Sequence, residues 1–201
     1  SANRGSGKLQ DAVDRTAGIP QMPSSLKAHL DLVGAGVQPA HFSEFFCPST
    51  VAPCLRDLGY SSSMSYDKRN GFDLLQEANQ RRALADQKRN ATAISLFCPP
   101  CTMLCQLQKS NWHRMREQEK WTKLREAIAL LDFSIWGIEM QLCAGRGFIF
   151  EHPETSMAWT RPNMQDVGRW KGVFEVVFDQ CMTGLVSPKG TPIKKRTRLL
   201  T

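Results

Sequence analysis

From Thr92 onward the chain alternates short apolar runs with a long stretch of helical periodicity. Thr92–Phe97 and Phe148–Phe150 are compact apolar runs bounded by turn residues, the pattern of strands buried on both faces of a parallel sheet. Between them, Trp121, Leu124, Ile128, Leu131, Ile135, Ile138 and Leu142 step by three and four. That spacing predicts a single helix within Trp112–Leu142, closed by Gly145-Arg146-Gly147. A coiled-coil seam suits the same spacing, but Leu130, Phe133 and Trp136 broaden the stripe and favour a helix lying on a sheet. Upstream, His41–Phe46 and Tyr60–Tyr66 read as strands and Val51–Leu58 as a helix closed by Gly59. Gly71-Phe72-Asp73-Leu74 is a turn-bounded segment, and Glu77–Asn90 a polar surface helix. Val173–Phe178 and Arg196–Leu200 supply two further strands.

Strands alternating with helices predict an α/β domain whose mostly parallel sheet is flanked by helices. In such sheets ligands bind outside the carboxyl ends of the strands. Those ends carry Phe46-Cys47, Asp67, Cys98–Cys101 and Glu151, so a thiol and a carboxylate far apart in sequence are expected on one edge. Residues 1–40, rich in Gly, Ser and Pro, read as a linker or arm with one short helix at Ser25–Val33. With 201 residues, one compact domain spanning 41–201 is the natural division.

Composition narrows the function classes. At 41% hydrophobic and 22% charged residues the chain supports a sizeable core. No apolar run approaches the length of a membrane span, and no leader follows Ser1, so the chain reads as a non-membrane piece of a longer polypeptide with flanking domains. Its 26 Lys+Arg against 19 Asp+Glu give a net charge of +7. The segment from Val186 to Thr201 holds Lys189, Lys194, Lys195, Arg196 and Arg198 and no acid. A nucleic-acid partner, with DNA first, or a merely solvated basic face both fit that tail.

Seven cysteines without a paired framework point to a reducing intracellular setting, nuclear or cytoplasmic. Cys98, Cys101 and Cys105 stand in the run FCPPCTMLC, which suits a metal site, although a second cysteine pair is missing. Alternatively, Cys101 follows a buried strand and a stiff Pro99-Pro100 turn, and a helix starting at Thr102 would stabilise its thiolate. Such a cysteine is a nucleophile candidate, or an inert half-buried thiol. Glu151 at a strand end is a candidate acid or an ion-paired carboxylate, and His152 a packed loop residue.

The order Phe97-Cys-Pro-Pro-Cys101, long helix, Phe148-Ile-Phe-Glu151-His-Pro153 resembles the DNA cytosine-5 methyltransferases, and in particular the compact methyltransferase-like proteins of phages and mobile elements. The resemblance covers His41 to Thr201 and implies a Rossmann-like methyltransferase fold. It implies Cys101 as nucleophile towards pyrimidine C6 and Glu151 as the carboxyl group at N3, acting on a base flipped out or already single-stranded. Arg198, with Arg196 beside it, would contact the base or that carboxyl group. S-adenosylmethionine would be the cofactor, with Phe46 stacked on adenine, Asp67 on the ribose, and Asp73 and Pro99 alongside. Lys194, Lys195 and Arg196 would meet nucleic acid. The chain departs from the family in its first loop, Phe46-Cys-Pro-Ser-Thr50, which lacks glycine. A catalytically lapsed nucleic-acid-binding domain is the alternative.

Overall fold

The computed structural model describes residues 42–48 and 51–201. The arm assigned to residues 1–40, with its helix at Ser25–Val33, lies outside the described residues. Six strands form one sheet: β1 (Phe42–Phe45), β2 (Ser62–Tyr66), β3 (Ile94–Phe97), β4 (Gly147–Pro153), β5 (Glu175–Asp179) and β6 (Arg196–Leu200). The helices are α1 (Val51–Asp57), α2 (Glu77–Arg89), α3 (Gln106–Lys109), α4 (Glu117–Cys143) and α5 (Pro162–Arg169).

The sheet runs β2-β1-β3-β4-β6-β5. The β1–β2, β1–β3 and β3–β4 pairs are parallel, whereas β6 is antiparallel to both β4 and β5. The sheet is therefore mixed rather than uniformly parallel. The cause is local: among the described residues only a 3-10 turn at Gln180–Thr183, and no α-helix, separates β5 from β6, and a parallel return needs a longer crossover, usually an α-helix. The first four strands, in contrast, are joined by crossovers that put β2 and β3 on opposite sides of β1. The chain reverses its winding between β1 and β3, and a crevice opens there.

Side chains alternate across the strands. Phe45, Phe97, Phe148, Phe150 and Leu200 form the main core with α2, α4 and α5. Phe42, Leu96 and Ile149 point the other way, towards Val51 and Leu55 of α1. Gly137 lets α4 settle onto β3: a Cβ at this position would stand 2.7 Å from the Phe97 ring. Two strand serines are joined in a buried hydrogen-bonded chain. Ser43 and Ser95 share a hydroxyl contact of 2.8 Å, and Gln87 of α2 donates to Ser95 over 2.9 Å. So α2 is not the solvated surface helix its composition suggests; Ala83, Leu84 and Gln87 are buried.

The long helix begins at Glu117, not Trp112, because Met115 and Arg116 are extended and a short 3-10 turn occupies Trp112–Arg114. No helix starts at Thr102. The Cys101 carbonyl accepts from both Leu104 and Cys105, each at 2.9 Å, and closes a turn in its place.

Candidate active site

A cavity of about 470 Å³ opens over the carboxyl ends of β1, β2 and β3, under the first half of α4. That volume lies within the ~300–1,000 Å³ of small-molecule sites. Phe46, Asp67, Asp73 and Pro100 line it, so residues from three separate segments meet in one place. Pro99 is buried, and Pro100 forms the wall in its stead.

Phe46 leaves β1 with φ 65, in the left-handed region. A non-glycine side chain there costs about 1 kcal/mol or more. The conformation is held by a 2.9 Å bond from the Phe46 N–H to the Tyr66 carbonyl, with the ring edge-on to Phe133. The turn that a glycine would make freely is thus made by a phenylalanine whose ring enters the cavity wall. Asp67, buried at the end of β2, accepts from the Arg69 backbone at 2.8 Å and from its guanidinium at 3.1 Å. Asp73 accepts from the Leu75 N–H at 3.1 Å and pairs with Lys68, also at 3.1 Å. The backbone donor first, and Lys68 after it, hold the Asp73 carboxyl below its ordinary range.

The loop bearing Cys101 is fixed at both ends. Cys98 N–H donates to Phe45 at 3.2 Å, and the Leu104 carbonyl accepts from Met157 N–H at 2.8 Å and Ser156 hydroxyl at 3.2 Å. Pro100 and Thr102, on either side of Cys101, both face the cavity. Burial pushes the Cys101 thiol up, Cys105 and Glu151 add to that, and Lys195 opposes it. The expected thiolate at a helix N-terminus is not what forms here; the turn supplies no helix dipole. Cys98 turns towards Cys47, whose thiol contact together with burial raises it strongly. All seven cysteines are free thiols. Among the described residues no three His, Cys, Asp or Glu side chains converge to hold a metal ion.

Phe97 of β3 lies opposite Phe150 of β4, so Cys98, just past the end of β3, is next in register to Glu151; β4 itself runs on to Pro153, so Glu151 lies within the strand and not at its end. Electrostatic coupling of both Cys98 and Cys101 to Glu151 and Lys195 puts the thiols, the carboxylate and the ammonium in one neighbourhood. Glu151 accepts from Lys195 Nζ at 3.3 Å. Arg198 is elsewhere. It faces His152 across the β4–β6 pair, its guanidinium stands 5.0 Å from the Trp159 ring centroid, and it bonds Glu175 at 3.4 Å. Two more basic residues of the tail have acidic partners: Lys194 meets Asp179 at 3.8 Å, and Arg196 meets Glu154 at 2.8 Å.

Several cavity residues carry no sequence signal. Phe72, Lys123, Glu126 and Leu130 reach it from the segment after β2 and from α4. The i, i+3, i+4 pattern of α4 marks Leu130 as apolar stripe and Lys123 as solvent face, and nothing local reveals that this end of the helix overhangs a crevice. No family model and no curated protein matches the chain. No helix among the described residues is long and apolar enough to cross a membrane.

Proposed function

We propose that the domain transfers a methyl group from S-adenosylmethionine to C5 of cytosine in nucleic acid, DNA first, on a Rossmann-like methyltransferase fold. The observation that carries this reading is the cavity at the β1/β3 reversal, whose wall includes Phe46, Asp67, Asp73 and both neighbours of Cys101. Phe46 and Phe72 offer faces for an adenine ring, and Asp67 sits at the strand end where a ribose-binding acid belongs. Cys101 adjoins the same space, and Glu151 stands on the neighbouring strand.

The chemistry follows from the pyrimidine. C5 is a poor nucleophile until the Cys101 thiolate adds to C6, forming a C–S bond and placing electron density on C5. A carboxyl group at N3 accommodates the charge that develops. S-adenosylmethionine, when bound, would supply the methyl group on its sulfonium and leave as the thioether; transfer of the C5 proton to water would expel the Cys101 thiolate and restore the ring. Glu151 is the group to serve N3, and the base must leave its stack to reach it.

A second reading, a domain that binds nucleic acid without methylating it, is favoured by one feature. Asp67 and Asp73 are already paired with Arg69 and Lys68. Two measurements separate the readings. Calorimetric titration with S-adenosylmethionine should show one site, weakened at least about tenfold (~1.4 kcal/mol) by Asp67→Asn. A duplex or single strand carrying 5-fluorocytosine should then trap the protein covalently, because a fluorine at C5 blocks the final elimination. Cys101→Ser should abolish the trap and keep cofactor binding, whereas Cys105→Ser should leave both. No calorimetric binding would sink the enzyme reading; binding without a trap would favour the lapsed one.

A further inference from the structure

Lys195, just ahead of β6, does not share the face of Arg196 and Arg198. Positions 196–200 alternate between faces, and their register with β4 sets Leu199 beside Glu151 and Arg198 beside His152. Arg198 therefore belongs with Trp159 and His152 on the core side. Lys194 and Arg196 turn to Asp179 and Glu154. The ammonium that reaches the Glu151 carboxylate of β4 is Lys195, at 3.3 Å and about half exposed.

We propose that Lys195 is the positioning cation of the Cys101–Glu151 cleft. It holds the Glu151 carboxylate of β4 and supplies the positive field that favours the Cys101 thiolate, a part the family resemblance would give to Arg198. The proposal rests on the reading of Cys101 as nucleophile. The charged and titratable groups facing Cys101 are Cys105 on its own loop, Glu151 on β4 and Lys195 ahead of β6. Burial, Cys105 and Glu151 all disfavour the thiolate, and Lys195 is the cation set against them. Cys98 also feels Glu151 and Lys195, with Cys47 as its own thiol neighbour. A carboxylate alone beside a nucleophilic thiol would work against it. The salt bridge lets Glu151 remain at the site with its charge compensated.

The test needs neither cofactor nor nucleic acid. Alkylation of Cys101 by iodoacetamide is followed in the full chain by peptide mass spectrometry across a pH series. Lys195→Gln should slow alkylation about threefold near neutral pH and move the profile to higher pH. Lys195→Arg should restore it, Glu151→Gln should speed it, and Lys189→Gln in the neighbouring loop should leave it alone. High salt should slow the wild-type reaction in the same direction, a result that depends on no variant's folding. A Lys195→Gln profile superimposable on wild type would overturn the proposal, as would Arg198→Gln shifting it equally. A Lys195-dependent profile in a chain that does not bind S-adenosylmethionine would sink the enzyme reading and leave the cation's effect on the thiol standing.

Discussion

His152 is fully buried at the end of β4, stacked on Phe150 and edge-on to Trp159, and neither ring nitrogen has a hydrogen-bond partner. Burial, and then Lys195, lower its pKa from 6.5 to about 4. In the unfolded chain the imidazole takes its proton near 6.5, so between that pH and about 4 the unfolded state binds more protons than the fold. Stability must fall as pH drops through this window and be unaffected by His152 above it, with a full effect of up to about 3 kcal/mol. Urea unfolding of wild type and His152→Leu at neutral and mildly acid pH should give a smaller acid loss in the variant; equal losses would mean that His152 is solvated. This residue also shows how far the site was legible. Phe46, Asp67, Cys101 and Glu151 are marked in the sequence because each sits at or just beyond the end of a strand-like run, whereas Asp73 comes only with the family resemblance. Lys195 and Arg198 could not be sorted, since one residue of register decides which face of β6 a side chain takes.

At the scale of elements, α4 meets β3 closely at Gly137, and the absence of a side chain there is the condition. Phe97 cannot retreat easily: it is fully buried and stacked on Phe45 with centroids 4.6 Å apart. Gly137→Ala should gain about 1 kcal/mol of helix propensity and lose about 1–3 kcal/mol to overpacking, a net destabilisation. Chemical denaturation should show a lower midpoint, restored by Phe97→Leu in the double variant; a stabilised single variant would mean that α4 lies further off. The periodicity of α4 and the short apolar strands were plain in the sequence because burial writes itself as pattern. Two elements were not. The turn after Cys101 displaces a helix through two bonds to one carbonyl, and α5 spans only eight residues behind Pro162, too few to show a period. The direction of β6 was equally hidden, because a five-residue strand reads alike whichever way it enters the sheet.

For the molecule as a whole, the net charge of +7 suggests a phosphate-binding face, yet the basic tail is not a free stripe. Lys194, Lys195, Arg196 and Arg198 each meet a carboxylate drawn from β4, β5 or the segments beside them. A nucleic acid must compete with those carboxylates for each cation. Exposed pairs of this kind are weak, about 0–1 kcal/mol each, so they are open to exchange but lower what each phosphate contact yields. A cation fully transferred to phosphate contributes about 0.9 to the salt slope of duplex binding, so the double variant Lys194→Gln/Arg196→Gln should lower the slope by about 1.8 if both transfer completely. With their acidic partners retained, the fall should be under about 1, accompanied by a modest loss of affinity. Fluorescence anisotropy of a labelled duplex and a labelled single strand over a salt series reads both quantities. A fall near 1.8 would show the ion pairs opening on binding, with the tail lying along the backbone. Unchanged slope and affinity would place the nucleic acid away from β6 altogether, at the cavity mouth where Lys68, Arg69 and Lys123 stand.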